Sequence, residues 1–236
     1  MLAAYTYYSD FKFTVERQPG NIVIENCVIT GWTSFASTIT NVAIKDSKFA
    51  EGNYNQLRFY QNAQLTNCVF NENMTVDFGD NDNDATFEGC TVENGGALID
   101  IIFIADVAEG NKVTIDGVEI CVAAKINDTY YLSLQAAIDA ATEGQTVTIV
   151  SDLTLTEGVT VAADKDLFIA LNGKTITGTD SATGNYALIT NKGNLLVKNG
   201  KMTLVAVNNR AWNAYSSVIS NNPGGNLVVE NVTIEH

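Results

Sequence analysis

The chain has 236 residues with 46% hydrophobic residues, 13 Lys and Arg against 27 Asp and Glu, and a net charge of −14. That hydrophobic content supports a packed core and excludes a disordered chain, while so acidic a balance excludes a phosphate backbone or an anionic lipid surface as partner and fits cations or neutral glycans. No apolar stretch is long enough to cross a membrane, since the run from Ala97 to Ala108 is short and broken by Asp100 and Asp106.

The N-terminus, MLAAYTYYSD, has neither a basic start nor a full apolar segment, so it does not read as a signal peptide. A repeat follows. Its phrase alternates apolar residues, then places an Asn, Asp or Gly, then an apolar residue three positions on. Ile22, Ile24, Asn26 and Ile29 carry it first. Val42, Ile44, Asp46 and Phe49, then Ala63, Leu65, Asn67 and Phe70, then Ala85, Phe87, Gly89 and Val92 repeat it. Val113, Ile115, Gly117 and Ile120 read as a fifth copy. The turn positions 26, 46, 67 and 89 are 20, 21 and 22 residues apart, and the longer step to 117 predicts an inserted loop. Alternation at period 2 points every second residue inward. The turn residue must tolerate left-handed backbone, which Asn, Asp and Gly do. A single such coil cannot bury its own apolar face, so coils must stack.

Between the repeats lie two candidate sites. Aligning Gln56 to Tyr60, Thr75 to Phe78 and Asp100 to Phe103 as neighbouring strands puts Gln56, Thr75 and Asp100 in one outward column and Arg58, Asp77 and Ile102 in the next. Arg58, Asp77 and Asp100, with Tyr60 beside them, form a candidate ligand-binding face; the alternative is a solvated salt bridge. In DFGDNDND, Asp80, Asp82 and Asp84 alternate like the opening of a calcium loop. An EF-hand is excluded because Ala85 and Thr91 stand where it needs Gly and Glu. A looser calcium site and a plain acidic turn remain open. Of the four cysteines, Cys27, Cys68 and Cys90 share the column after the turn residue with Ser47, which predicts a ladder of small buried residues. Cys68 and Cys90 fall on adjacent coils, so a disulfide is also conceivable. There is no CxxC, and the single His is residue 236, so neither a zinc site nor a Ser-His-Asp set is predicted.

Residues 123 to 142 break the pattern. AAKINDTYY predicts a hairpin turning at Asn127-Asp128, and SLQAAIDAAT a helix with Ser133 as N-cap and Leu134, Ile138 and Ala141 on its apolar stripe. Alternation resumes at Val147 and Ile149, Leu153 and Leu155, and Val159 and Val161. The repeat phrase returns at Ile169, Leu171, Gly173 and Ile176, at Leu195, Val197, Asn199 and Met202, and at Leu227, Val229, Asn231 and Ile234. ALITNKGNLLVKNGKM and SVISNNPGGNLVVENVTI keep Asn191 in step with Asn221 and Asn194 with Asn226. The segment NNRAWNAYSS between them reads as a loop, and Tyr54, Tyr60, Trp212 and Tyr215 are the aromatics expected at the surface for stacking on sugar rings.

NIVIENCVITG and NLVVENVTIEH resemble the parallel β-helix repeats of the pectin-lyase-like superfamily. The resemblance implies an all-β, right-handed parallel β-helix (solenoid). SLQAAIDAATEGQTVTIVSDLTL with IALNGKTITG resembles the start of β-helix modules in large bacterial surface proteins. It implies two segments, 1–122 and 123–236, the second beginning with a hairpin and a short capping helix; one continuous β-helix with the helix inserted is the alternative. Neither end carries a cap, which predicts a piece of a longer chain or a homo-oligomer that covers its ends. The expected function is a non-enzymatic secreted or cell-surface scaffold or adhesin-like module that binds a polysaccharide or surface glycan, with calcium as the one cofactor to consider. A polysaccharide lyase or glycoside hydrolase and a phage tail-fibre or tailspike segment are the alternatives, and no catalytic motif of the superfamily is matched.

Overall fold

The computed structural model describes residues 21–35, 41–80, 82–180, 184–205 and 215–236. The chain is mostly β and divides into two compact units, Met1–Ile120 and Cys121–His236.

In the first unit, strands that recur along the chain join the same three sheets. β1 (Asn21–Glu25), β4 (Asn41–Lys45), β7 (Asn62–Thr66), β10 (Asp84–Glu88) and β12 (Lys112–Ile115) pair side by side in parallel. β2 (Val28–Thr30), β5 (Lys48–Ala50), β8 (Val69–Phe70) and β11 (Thr91–Val92) form the second sheet, and β3 (Thr33–Phe35), β6 (Gln56–Phe59) and β9 (Thr75–Phe78) the third. The parallel register repeats the sequence phrase, with Ile24, Ile44 and Leu65 in one row. Their side chains are buried, as the period-2 reading requires. This parallel, repeating order is compatible with a solenoid.

The turn residues do what their chemistry allows. Asn26, Asp46, Asn67 and Gly89 have φ of 54°, 47°, 53° and 59°. Two of their side chains also link neighbours, Asn67 Nδ2 donating to Asp46 Oδ1 at 3.1 Å, and at the strand starts Asn41 Nδ2 donates to Asn21 Oδ1 at 3.0 Å. Beside them, Ser47, Cys68 and Cys90 are buried and Cys27 is half-buried, so the small-residue ladder is present. All four cysteines are free thiols. Contact with Cys68, together with burial, pushes the Cys90 thiol up.

Two sequence expectations differ from the structure. Asp116 and Gly117 both take positive φ, 47° and 78°, and turn β12 back into the antiparallel β13 (Val118–Glu119). The expected fifth repeat holds through β12, where Val113 and Ile115 pair in parallel with Ala85 and Phe87, and then ends in a two-residue hairpin, the geometry that an Asp-Gly pair favours. The expected strand from Asp100 to Phe103 is instead a 3-10 helix, Leu98–Ile101, followed by α1 (Ile104–Ala108).

The second unit starts with the hairpin β14 (Ala124–Ile126) and β15 (Thr129–Tyr131), turning at Asn127 with φ 52°. α2 (Leu134–Ala140) follows, and Ser133 Oγ accepts from Ala136 N–H at 3.0 Å, the N-cap bond that leaves one fewer orphan donor. Leu134, Ile138 and Ala141 are buried. Lys165 Nζ closes the other end by donating to the carbonyls of Asp139 and Ala141 at 2.7 and 2.6 Å.

β16 (Gln145–Ile149), β17 (Leu153–Leu155) and β18 (Val159–Val161) are the first strands of three parallel columns. β19 (Asp166–Ala170) and β20 (Thr175–Thr179) follow β16 and β17, and both pair with the long β22 (Asn194–Val205), which bends at Asn199. β24 (Asn226–Glu235) lies on β22, while β21 (Tyr186–Asn191) and β23 (Ser216–Asn221) continue from β18. β14 covers the outer edge of β16. Gln135 covers β18 in the manner of a strand, accepting from Thr160 N–H at 2.7 Å and donating to its carbonyl at 3.0 Å.

Candidate functional site

The Arg58 face lies on the third sheet of the first unit. β6 and β9 pair in the expected register, Gln56 with Thr75 and Arg58 with Asp77. Asp77 is 6% exposed, an unusual place for a charge, and its carboxylate is fully engaged. Arg58 donates from Nε to Oδ1 at 2.7 Å and from Nη2 to Oδ2 at 3.0 Å, and Gln56 Nε2 also donates to Oδ2. This two-pronged pairing, with Tyr60 beside it, raises the Arg58 pKa above its already high ordinary value. Of the five N–H groups of the guanidinium two go to Asp77, Tyr60 takes a further hydrogen bond, and the side chain is one-third exposed. Tyr60 is half-buried, its ring against Gly79, where a Cβ would collide with it.

Asp100 does not join this face. Among the described residues the bridge across to the next segment links Val76 with Ile102, not Asp77 with Ile102 as expected. A one-residue slip reverses the faces. Ile102 turns inward at 4% exposure, Phe103 turns outward, and Asp100 stands exposed on the 3-10 helix.

The carboxylate that does stand here is Asp106 on α1, which accepts from Phe78 N–H at 2.8 Å. Burial is the main cause that raises its pKa, and the negative charges of Asp77 and Glu109 add to it against the N–H bond and Arg58. A raised carboxylate pKa favours the folded state at low pH, and this contribution is lost as pH rises through the folded value. Asp106→Asn keeps the acceptor and removes the charge. The variant's melting temperature relative to wild type is therefore expected to be higher at pH 7 than at pH 3.5. Equal differences at both pH values, by thermal scanning, would sink the assignment.

The acidic loop is organised differently. Asp80, Asp82 and Asp84 are all exposed. Between them the buried Asn83 holds the turn, donating from Nδ2 to Asp80 O at 2.9 Å and from its N–H to Asn111 Oδ1 at 3.1 Å. Among the described residues no three His, Cys, Asp or Glu side chains converge so as to hold a metal ion. Tyr54 and Tyr215 are exposed, whereas Trp212 lies outside the described residues.

A feature with no counterpart in the sequence reading is a groove of about 510 Å³ in the second unit. Leu132, Leu134, Leu153, Leu155 and Glu157 line it beside β17, and its lining has no aromatic ring. Its signal was available only through topology, because β17 ends its sheet while β16 and β18 are covered.

Fold and site together define an all-β repeat protein with parallel sheets and one charged, partly buried cluster on a strand face. No family model matches the sequence, and neither a curated protein nor a solved structure matches it.

Proposed function

We propose that both units are right-handed parallel β-helices of the pectin-lyase-like kind, and that the chain is a non-enzymatic scaffold module of a secreted or cell-surface bacterial protein. Its ligand is a polysaccharide or surface glycan, held at the Arg58 face. The observation that carries this reading is the state of Arg58. Its pairing with the nearly buried Asp77 keeps it protonated, so it offers hydrogen-bond donors but no base. Sugar hydroxyls and carboxylates are acceptors that fit the remaining N–H groups, and Tyr60 and the exposed Phe103 supply apolar surface nearby.

The lyase alternative requires a group at this face to accept a proton from the sugar ring. Arg58 is poorly suited to that step for the reason just given. The two readings separate in one experiment: a glycan array run with wild-type chain and Arg58→Ala, with the bound glycans then incubated and examined for cleavage. Retained glycans on wild type, loss of at least about tenfold in signal on Arg58→Ala, and no product support a binding module. Arg58-dependent product would replace it with the enzyme.

A further inference from the structure

We infer that Cys68 and Cys90 are an oxidation site, two stacked thiols that a peroxide or glutathione disulfide converts into a covalent bond between neighbouring repeats. This inference does not depend on the glycan reading. It starts from the equivalence of the two side chains. Cys68 Sγ reaches the carbonyls of Ile44 and Thr66, both at 3.5 Å. Cys90 Sγ reaches those of Leu65 and Glu88, at 3.5 and 3.6 Å. Ile44 pairs with Leu65 and Thr66 with Glu88, so the thiols hang in the same place one repeat apart. The strands that follow them keep parallel register, Val69 with Thr91, and Thr91 N–H donates to Cys68 O at 2.9 Å. Neighbouring strands lie about 4.8 Å apart, inside the range of Cα separations that a disulfide spans. The two side chains are already in contact, and their hydrogen bond lowers the Cys68 pKa to about 7, which makes its thiolate available near neutral pH.

The other two cysteines are placed differently. Ser47 stands between Cys27 and Cys68 in the column, and its Oγ accepts from Cys27 N–H at 3.1 Å. Cys27 is thus two repeats from Cys68, about 9–10 Å, too far for the bond. Cys121 is exposed in the second unit, its Sγ 3.3 Å from Ser151 Oγ. With peroxide, the Cys68 sulfur attacks one oxygen, the O–O bond breaks, and the leaving hydroxide takes the thiol proton to become water. Cys90 sulfur then attacks the sulfenic acid so formed, its S–O bond breaks, and the hydroxyl leaves with the Cys90 proton as a second water. The two thiols lose two electrons and the peroxide gains them. With glutathione disulfide, a mixed disulfide forms first, and the second thiol displaces it, so that two glutathione thiols are released. The new bond ties β11, which ends its sheet and holds only Thr91 and Val92, to β8 just before the chain leaves the repeat at Glu93.

The test treats the full chain in two ways: with hydrogen peroxide in the folded state, and by refolding from urea in glutathione redox buffer, which removes burial as an obstacle. The two arms tell which oxidant serves. Thiols are then alkylated in denaturant and counted by intact mass. Loss of two hydrogens is expected, with Cys27 and Cys121 alone carrying label. Cleavage at Glu and Asp is expected to leave the Cys68 and Cys90 peptides joined until reductant is added. The oxidised chain is expected to melt about 5–10 °C above the reduced one, because the bond closes the segment from 68 to 90 in the unfolded chain as well. Cys68→Ser is expected to remove the linked form and that rise. Serine fits the site, since the buried Ser47 occupies this column one repeat earlier. Cys27→Ser with Cys121→Ser is expected to keep both. Four labelled thiols after both treatments, a bond that uses Cys27 or Cys121 or joins two chains, oxidation that stops at separate sulfinic acids, or a linked chain that melts no higher than the reduced one overturns the inference.

Discussion

Phe70→Ala is expected to destabilise the chain by about 3–5 kcal/mol in urea denaturation, the range for emptying a buried aromatic site. Phe70 is fully buried, its ring stacked on Phe49 at 4.9 Å with an interplanar angle of 2°, and tilted against Phe87 at 6.2 Å. These rings come from three successive repeats, so neither neighbour can collapse into the cavity without leaving its own strand. Aromatic pairing adds to the area effect. Val69→Ala is the control, since Val69 is 36% exposed on the preceding position of the same strand and is expected to cost under about 0.5 kcal/mol. Similar losses for both would mean that the ring column does not organise the core.

Asn191→Ala is expected to cost about 2–4 kcal/mol for a different reason, the orphaning of buried polar groups. Asn191 is 0% exposed. Its Nδ2 donates to Gly193 O, Asn221 Oδ1 and Asn226 O at 3.1, 2.7 and 3.0 Å, and its Oδ1 accepts from Gly193 N–H at 3.2 Å. Water cannot replace it readily: a Cβ added at Gly225 would come within 3.1 Å of Asn191 Nδ2, so backbone packs directly on the amide. Asn221 occupies the same place one repeat later but is exposed, with its Nδ2 on Gly225 O at 2.9 Å. Asn221→Ala is therefore expected to cost under about 1 kcal/mol. A comparison of the two variants by chemical denaturation separates a buried asparagine linkage from a general preference for asparagine in turns.

The repeats were legible because two independent constraints agree in each copy. Alternation sets which residues face inward, and the left-handed turn restricts the next position to Asn, Asp or Gly, as at Asn26, Asp46 and Asn67. Asn191 and Asn194 stayed in step with Asn221 and Asn226 because each pair is bonded side chain to side chain. The insertion between Gly89 and Lys112 was not legible in the same way. A run such as Asp100-Ile101-Ile102-Phe103 fits a buried strand and a short helix equally well, and period alone does not separate them. Read as a strand, the run places Asp100 at the Arg58 face. The nearby helix, whose stop is marked by Gly110 at φ 125°, puts Asp106 there instead. Asp116-Gly117 did carry its own signal, a dipeptide suited to a two-residue hairpin, but the apolar pattern around it fits the repeat as well. Within the site, the Arg58–Asp77 pair followed from register; the burial of Asp77 did not, because it depends on what lies over the strand.

The near-constant spacing of the paired strands bears on how the chain reaches this structure. Asn21 pairs with Asn41, Asn41 with Asn62, Ala63 with Ala85 and Ala85 with Val113, so the strands of the first sheet close segments of 20, 21, 22 and 28 residues, each onto the one before it. In the second unit Asp166 pairs with Asn194 and Asn194 with Asn226, closures of 28 and 32 residues. Loop-closure entropy changes slowly with length, so these steps have similar entropic costs. No strand pairing of this kind waits for a distant part of the chain, and a strand can dock as soon as its predecessor is in place. Folding can thus proceed in the order of synthesis, with the growing edge of the sheet as the one site of addition at each stage.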